Sequence, residues 1–375
     1  MSVTDGIDAH RRYRPSQYPI AEPFAGGLEM HTHLLCQQLR KKGHAVTLFA
    51  ATHSNPELGL EAVCDQTEIS KVGTAEASDV AFFKEHHAYL SLMGRLRRSA
   101  FDIIHNNSLH YLPVSMAETL PMPMVTTLHT PPFCWLESGI REARAPMARF
   151  VSVSEAMRRQ WSHVRAIDRV IPNGIDLQRF AWGDRIDDPP HLIWFGRIVP
   201  EKGLHLGLDA AARAGIPLRF AGPILDETYF ATEIAPRLTS NTLYLGHLDH
   251  DALSQEIGKA AAFVCTPLWD EPYGLVVAEA LACGTPVAAF ARGAIPDILT
   301  KDCGALARPD DVEDLARAIV EAISLSRSAC RARAEAACDM GRMVDAYEQL
   351  YVELVEMHHA SAVRANDAVE DRLIA

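Results

Sequence analysis

Short apolar runs alternate with helical patterns along both halves of the chain. Each apolar run is bounded by Gly, Pro, Asn or Asp, which favours strands. Continuous apolar strands that alternate with helices predict parallel sheets covered on both faces, so we expect two doubly wound α/β domains facing a central cleft. The first half offers the strands Ala45–Ala50, Phe101–His105, Met124–His129 and Phe150–Ser154. The second offers Leu192–Gly196, Leu218–Ala221, Thr242–Leu245, Ala261–Thr266 and Val287–Phe290.

Helices and connections complete this pattern. Leu28–Lys42 places its leucines on one face and stops at Gly43, which predicts the first clear helix. The charged run Asp184–Pro190, ending in proline, is interpreted as a linker between the halves. Arg327–Met357 is typical of one or two long terminal helices, and residues 358–375 are expected to form a loose tail.

Composition places the chain among ordinary globular proteins. Its 375 residues are 48% hydrophobic and 22% charged, with no apolar run near the length of a membrane span and no signal-like apolar segment at the N-terminus. The eight cysteines are scattered, without zinc-ligand spacing. We therefore expect a cytoplasmic protein without a structural metal.

Charge is distributed unevenly between the halves. Residues 1–175 hold 18 Lys and Arg against 17 Asp and Glu, whereas residues 176–375 hold 18 against 31. The resulting net charges, +1 and −13, disfavour a nucleic-acid-binding protein, which would need a basic face. The basic cluster Arg95, Arg97 and Arg98 could give a weak peripheral contact with anionic lipid, although a solvated helix face explains it more simply.

The most informative stretch is residues 269–287. It places Glu271 just before a predicted helix and Glu279 inside that helix, with seven residues between them. Gly274 shapes the turn that starts the helix. A helix N-terminus attracts anions, and two nearby carboxylates would accept hydrogen bonds from hydroxyl groups, a combination suited to a nucleotide sugar. The plainer interpretation is a buried helix with a solvated glutamate on each side.

Other candidate residues follow the carboxyl ends of predicted strands, where doubly wound sheets bind ligands. Arg197 and Lys202 lie five residues apart after Leu192–Gly196 and could grip a diphosphate. His129 ends its strand and could bind a sugar hydroxyl or a backbone carbonyl, although, as a single feature, it is better explained as a structural histidine. Two further candidates are the paired glycines Gly26 and Gly27 at the first helix, and Asn173 in a turn that ends the first domain.

These pieces occur together and in order, and the chain resembles the retaining, family 4-type glycosyltransferases of the GT-B fold over roughly residues 20–355. In the first half the matching segments are Gly-Gly-Leu-Glu at 26–29, Lys-Gly-His-Ala-Val-Thr-Leu at 42–48, Phe-Asp-Ile-Ile-His at 101–105, Ser-Val-Ser-Glu at 152–155 and Pro-Asn-Gly-Ile-Asp at 172–176. In the second half they are Gly-Arg-Ile at 196–198, Glu-Lys-Gly at 201–203, Glu-Pro-Tyr-Gly-Leu at 271–275 and Ala-Cys-Gly-Thr-Pro-Val at 282–287.

The resemblance implies roles for the candidate residues. Arg197 and Lys202 would hold the diphosphate of the donor, Glu279 its ribose, and Glu271 the transferred sugar. His129 would lie near the reacting sugar. The backbone N–H groups around Tyr273, Gly274 and Leu275 would complete the donor cradle, which Gly26 and Gly27 would approach from the first domain.

The resemblance also implies the domain boundaries. We predict an acceptor-side Rossmann-like domain over residues 1–177 and a nucleotide-sugar domain over 178–345. Residues 346–375 would be a C-terminal helix that braces the first domain, plus the tail. Residues 1–15 contain no apolar strand where relatives usually have one, so the first strand is missing or degenerate. In Ala291–Asp297, Arg-Gly-Ala replaces a common glycine pair and Asp297 a common glutamate, which could shift donor preference.

The predicted function is therefore transfer of a sugar from a UDP- or GDP-sugar to a hydroxyl acceptor, with retention and without metal or cofactor. The acceptor could be a glycan, a lipid-linked sugar or a small molecule. Two alternatives stay open, a nucleotide-sugar hydrolase or epimerase of the same fold and a degenerate binding protein. A dehydrogenase is disfavoured because no dinucleotide glycine fingerprint follows the first strand.

Overall fold

The computed structural model describes residues 19–22, 24, 26–63, 77–183 and 185–374. The chain divides into two compact units. Unit 1 comprises residues 1–152, 160–171 and 344–375, and unit 2 comprises residues 153–159 and 172–343. The expected absence of the first strand concerns residues 1–15, which lie outside the described residues.

The strands of unit 1 form two parallel sheets. β1 (Leu48–Ala50) pairs with β2 (Leu60–Ala62). The second sheet has the order β3 (Ile104–Asn106), β4 (Met124–Leu128), β5 (Ala148–Ser152) and β6 (Arg169–Val170). Every residue of β4 is buried, as expected for a central strand covered on both faces.

Unit 2 contains one six-stranded parallel sheet. Its strands are β7 (Leu192–Phe195), β8 (Leu218–Ala221), β9 (Thr242–Tyr244), β10 (Ala262–Cys265), β11 (Val287–Phe290) and β12 (Gly304–Ala307). Their spatial order is β12-β11-β10-β7-β8-β9. This is the order of a Rossmann fold, in which the chain reverses direction across the sheet between the first and fourth strands, here β7 and β10. Ligands of such sheets bind outside the carboxyl ends of these two strands.

The helices cover these sheets. In chain order they are α1 (Gly27–Lys41), α2 (Ala77–Leu96), α3 (Tyr111–Ser115), α4 (Cys134–Glu142), α5 (Glu155–Trp161), α6 (Leu204–Ala214), α7 (Glu227–Tyr229), α8 (His250–Lys259), α9 (Leu275–Ala282), α10 (Ile295–Ile298), α11 (Val312–Ala322), α12 (Arg327–Ala337) and α13 (Met340–Ile374). In unit 2, side chains of α6 and α11 join those of β7, β8, β10, β11 and β12 in one hydrophobic core. No helix in the described part of the chain is both long and apolar enough to cross a membrane.

From Val344 onward, α13 belongs to unit 1. The Tyr347 hydroxyl lies 2.9 Å from Thr127 Oγ1 on β4, and the Tyr351 hydroxyl lies 2.5 Å from His105 Nδ1 on β3. At the helix surface, Lys42 forms an ion pair with Glu348 at 2.5 Å. The C-terminal helix is therefore tied to the sheet of unit 1 through hydroxyl and imidazole groups.

Each of the nine predicted strands overlaps an observed strand, which confirms the α/β alternation. Three observed strands, β2, β6 and β12, were not predicted. Two other predictions are wrong. Asp184–Pro190 is not a linker, because it lies inside unit 2, where Asp187 forms an ion pair with Arg219 at 2.9 Å. The loose tail after residue 357 is instead a continuation of α13 to Ile374.

Candidate functional site

Two loops meet at the carboxyl ends of β7 and β10 in unit 2. The loop after β7 makes a single 3₁₀ turn, Pro200–Lys202, and its Gly203 has a φ of +65°. A Cβ at Gly203 would lie 2.1 Å from the Thr266 carbonyl oxygen, so glycine permits this close approach. The Thr266 hydroxyl donates a hydrogen bond to the Lys202 carbonyl oxygen at 3.0 Å. The geometry therefore holds Lys202 against the loop that carries Glu271.

Lys202 and Glu271 contact each other directly in a hydrogen-bonded ion pair. Their side chains are 20% and 10% exposed, respectively. The indole Nε1–H of Trp269 donates to Glu271 Oε1 at 2.9 Å, and Lys202 Nζ lies 5.5 Å from the centre of the Trp269 ring. This distance is within the range of a cation–π interaction. A buried carboxylate is thus paired with one cation and one neutral donor.

The backbone of Glu271 is fixed by the loop after β11. The Ala294 N–H donates to the Glu271 carbonyl oxygen at 2.9 Å. Gly293 has a φ of +56°, and a Cβ there would lie 2.2 Å from the same oxygen. Only glycine fits this position without displacing Glu271, which explains why the Arg-Gly-Ala run has glycine at position 293.

Arg197 and Asn173 differ from Lys202 in their partners. Arg197 is half-buried, and no hydrogen bond or ion pair joins its guanidinium to another described residue. Asn173 is buried, and its Oδ1 accepts no hydrogen bond from the residues that the structure describes. Both side chains therefore have unused hydrogen-bonding capacity. Within the described part of the chain, no hydrogen bond or ion pair joins either side chain to the Lys202–Glu271 pair.

Helix α9 follows Glu271 and begins after Gly274, whose φ is +103°. The Val277 and Ala278 N–H groups donate to the Gly274 carbonyl oxygen, at 2.9 and 3.4 Å, so the first two N–H groups, those of Leu275 and Val276, are the ones available to an anion. The Tyr273 ring is buried and its hydroxyl interacts with Cys338, and burial raises the Tyr273 pKa well above its usual range. Of Tyr273, only the backbone is then suited to binding a ligand.

Glu279 lies on the buried side of α9 and is 8% exposed. Burial raises the pKa of its carboxyl group to about 7, and no described charge or hydrogen-bond donor offsets this effect. A carboxyl group kept without a partner costs free energy unless something else supplies a hydrogen bond. Hydroxyl groups of a ligand would meet this requirement.

Asp297, predicted to influence donor preference, has a structural partner. Its Oδ2 accepts a hydrogen bond from the Ala156 N–H at 3.2 Å. Close by in sequence to Ala156, the Ser154 hydroxyl donates to the Pro272 carbonyl oxygen at 2.6 Å. Residues 153–159 are thus attached both to α10 and to the loop that carries Glu271.

In unit 1, His129 follows β4 and is 8% exposed. Its Nε2 lies 2.8 Å from Asn107 Oδ1, and because an amide oxygen can only accept, Nε2 carries the hydrogen and Nδ1 is left as an acceptor. The His31 ring lies 4.8 Å away, edge to face. Burial, and then His31 and His105, hold the His129 pKa well below its usual range. His129 is therefore a neutral imidazole.

The predicted glycine loop immediately precedes α1. Gly26 is the N-cap residue, with an extended backbone (φ −169°) that any residue can adopt, and Gly27 begins the helix. The Gly26 carbonyl oxygen accepts a hydrogen bond from the Met30 N–H at 3.2 Å. The local backbone conformation therefore does not itself require glycine at position 26.

Among the predicted site residues, the structure brings Lys202 and Glu271 into direct contact. It places Tyr273, Gly274, Leu275 and Glu279 on the same loop and helix. Sequence reasoning missed Trp269 and Gly293 as partners of Glu271. Trp269 stands two residues before Glu271 within the stretch already singled out, so its aromatic side chain was the available signal.

The fold and the site in unit 2 together define a class, that of GT-B glycosyltransferases, in which two Rossmann-like units carry the substrates. Residues 25–179 match the family model described as Glycosyltransferase Family 4, and residues 178–338 match Glycosyl transferases group 1. The chain belongs to the family 4-type glycosyltransferases and is an enzyme of that kind.

Individual relatives agree with this assignment. The chain is 26% identical over 356 residues to a glycogen synthase of Mycobacterium tuberculosis, with 83% of this chain and 86% of the relative covered. It is 27% identical over 326 residues to a phosphatidyl-myo-inositol mannosyltransferase of Mycolicibacterium smegmatis, with 80% and 82% covered. Among solved structures, Anabaena HepE in complex with UDP has a TM-score of 0.70 at 17% identity, with 88% and 96% covered, and this likeness concerns the fold.

Proposed function

We propose that this protein is a retaining hexosyltransferase that moves a sugar from a UDP- or GDP-sugar to an acceptor hydroxyl. The observation that carries the proposal is the contact between Lys202, in the loop after β7, and Glu271, in the loop that leads from β10 to the start of α9. Arg197 lies in the same loop as Lys202. Cations and helix N–H groups suit a diphosphate, and the adjacent Glu271 and Glu279 suit hydroxyl groups.

Each group then has a chemical role. Breaking the bond between sugar and phosphate builds negative charge on the leaving diphosphate, which Arg197, Lys202 and the first N–H groups of α9 would stabilise. Glu279 would accept hydrogen bonds from the ribose, and Glu271 from the transferred sugar. Asn173, with its unpaired Oδ1, would accept a hydrogen bond from a further donor-sugar or acceptor group.

Retention requires attack on the face from which the diphosphate departs. The acceptor hydroxyl oxygen forms the new bond to the anomeric carbon as the bond to the phosphate oxygen breaks, and that phosphate oxygen takes the hydroxyl proton. A retaining glycosidase would need a carboxylate nucleophile near the anomeric carbon. Glu271 is already committed to hydroxyl binding in this scheme, so we favour direct attack. An inverted anomeric product would contradict it.

In unit 1, His129 offers Nδ1 as an acceptor for a sugar hydroxyl, while Nε2 is held by Asn107. The start of α1 at Gly26 and Gly27 would approach the donor phosphates. The acceptor is a hydroxyl compound, a glycan, a lipid-linked sugar or a small molecule, and the basic residues at 95, 97 and 98 would allow weak contact with anionic lipid.

We extend the proposal to a metal-independent enzyme of the cytoplasm. The charge on the leaving group is met by Arg197 and Lys202, which is the task a divalent cation performs in other transferases. The seven cysteines within the described residues are all free thiols, which suits a reducing compartment. Turnover that is unchanged by a strong chelator is the expected result for metal independence.

The proposal is tested with a panel of UDP- and GDP-sugars in the absence of acceptor, recording both binding and released nucleotide. Selective binding of one donor with slow hydrolysis, lost in Glu271→Ala and Lys202→Ala, would support a transferase and identify its sugar. Rapid hydrolysis or epimerisation without acceptor would favour the enzymatic alternative of the same fold. Donor binding without any turnover, even with an acceptor panel, would favour a binding protein.

A further inference from the structure

We infer that in the donor-free protein the Glu271 carboxylate binds Lys202 as an internal anion, in the place of the donor diphosphate. Trp269 is the positioning residue that allows the Lys202 and Glu271 side chains to separate when the donor binds. This inference rests on the proposed function, because it assigns Lys202 to the donor diphosphate and Glu271 to the transferred sugar.

The first step of the argument is the pairing itself. The two groups that the proposed reaction assigns to different parts of the donor are bonded to each other. Arg197, the other cation assigned to the diphosphate, has no such partner among the described residues. An arriving diphosphate therefore finds one cation ready and must displace the Glu271 carboxylate from the other.

The second step concerns what happens to Glu271 once Lys202 has moved. The carboxylate is largely buried, and a buried charge left without a partner is strongly destabilising. The Trp269 N–H donates to Glu271 Oε1 at 2.9 Å and remains after Lys202 has turned away. An indole N–H can only donate, so this bond keeps Glu271 as an acceptor and holds it ready for a sugar hydroxyl.

The third step is that Trp269 serves both partners. Its ring face lies 5.5 Å from Lys202 Nζ, so the ring attracts the ammonium group while its N–H attracts the carboxylate. Glu271 cannot follow Lys202, because its backbone is fixed by the Ala294 N–H and enclosed by Gly293. The exchange thus consists of movement by the flexible lysine side chain alone.

This arrangement predicts opposite effects of two conservative changes on the affinity for UDP or GDP, ligands with a diphosphate but no sugar. Glu271→Gln removes the competing charge and frees Lys202, so the affinity should rise about tenfold, the equivalent of one charge-assisted hydrogen bond. Trp269→Phe keeps a ring but removes the N–H. Glu271 then depends on Lys202 alone, and the affinity should fall several-fold.

The experiment is calorimetric titration of UDP and GDP into the wild-type chain, Glu271→Gln, Trp269→Phe and the double variant. Glu201→Gln is the matched control, since it removes one negative charge from the residue next to Lys202 without touching the ion pair. Trp182→Phe controls for loss of an indole N–H elsewhere in unit 2. Thermal melts establish that each variant is folded.

The decisive comparison is the effect of Trp269→Phe in the two backgrounds. We expect it to weaken nucleotide binding when Glu271 is present and to have no effect in the Glu271→Gln background, because its action passes through that carboxylate. A merely structural tryptophan would weaken binding equally in both, which would overturn its role. Unchanged or weaker binding by Glu271→Gln would overturn the internal anion. Failure of every variant to bind either nucleotide would overturn the proposed function, and the inference with it.

Discussion

The two units bury different titratable side chains around their candidate site residues. Unit 1 places His31, His105 and His129 close together beside α13, and burial lowers the His105 pKa to about 3 and the His129 pKa well below its usual range. Unit 2 buries carboxyl groups at the end of its sheet, with Glu271 paired to Lys202 and Glu279 left without a charged partner. The candidate site residue of unit 1, His129, thus lies among imidazoles, whereas those of unit 2 are carboxyl groups.

The difference has a consequence for pH dependence. A histidine whose pKa is lowered on folding binds a proton more readily in the unfolded chain, so unit 1 loses stability as the pH falls below 6.5. A glutamate whose pKa is raised keeps its proton longer in the folded chain, so Glu279 costs unit 2 stability as the pH rises from 4.5 to about 7. The buried histidines of unit 1 therefore cost stability as the pH falls, whereas Glu279 costs stability as the pH rises.

The largest effect that we expect is a loss of catalytic activity, and it tests the paired carboxylate of unit 2. Lys202→Ala removes the cation paired with Glu271, and we expect kcat/KM for sugar transfer to fall by about 10²- to 10³-fold, as when one charge-stabilising donor is lost. Lys259→Ala is the control, because Lys259 also pairs with a glutamate, Glu256, but it precedes β10, whereas the site loops follow the carboxyl ends of β7 and β10. Steady-state kinetics measures both. Equal turnover of the two variants would mean that Lys202 has no role in transfer.

The next effect concerns Glu279. Glu279→Gln removes a buried carboxyl group whose ionisation is unfavourable in the folded chain. Relative to wild type, unit 2 of the variant should therefore gain stability as the pH rises from 4.5 to about 7. The gain should be about 1.4 kcal/mol for each pH unit. Denaturant unfolding at a series of pH values measures it, with the exposed Glu321→Gln as control. A pH-independent difference would show that Glu279 does not titrate in this range. The same variant should bind the donor more weakly.

A smaller effect on stability distinguishes the cost of a side chain at positive φ from the cost of a clash with Glu271. Gly293→Ala and Gly215→Ala both place a side chain at positive φ, +56° and +72°, but only position 293 meets Glu271. Gly215→Ala should cost about 1 kcal/mol, and Gly293→Ala about 2 kcal/mol more, with loss of activity. Thermal unfolding and turnover are the measurements. If the two variants lose similar stability and keep similar turnover, the loop around Gly293 must accommodate the added methyl group without displacing Glu271.

The smallest effect tests unit 1. His105→Gln can keep hydrogen bonds to Thr127 and Tyr351 but cannot take up a proton near neutral pH. Between pH 6 and 4 the free energy of unfolding should therefore depend less on pH, by about 1.4 kcal/mol per pH unit. Acid unfolding followed by circular dichroism measures the slope, and the exposed His53→Gln serves as control. An unaltered slope would contradict the neutral-imidazole description.

The sequence predicted the fold where burial on both faces produces continuous apolar runs. Val287–Phe290, the strand β11, was predicted with its observed bounds because all four of its residues are buried. By contrast, β12 reads Gly-Ala-Leu-Ala, which has no β-branched residue, and β6 has only two residues. Neither sequence is typical of a strand on its own. Both segments are strands because they pair with neighbouring strands in a sheet.

The site could be predicted in part for a related reason. Glu271 and Glu279 lie on one continuous stretch, so their spacing is visible in the sequence. The contact between Lys202 and Glu271 joins residues on loops after the first and fourth strands of unit 2, and it depends on β7 and β10 being neighbours. The tautomer of His129 depends likewise on Asn107, which follows a different strand. Such pairings follow from strand order and cannot be read from spacing.

The position of α13 bears on how the chain acquires its structure during synthesis. Unit 2 is nearly continuous in sequence, whereas unit 1 needs the residues from Val344 onward, including the tyrosines that bind Thr127 and His105. On a ribosome, unit 2 can fold once residue 343 has emerged, whereas unit 1 must wait for the residues of α13 that follow. We therefore expect unit 2 to fold first, in contrast to the usual order from the N-terminal domain onward.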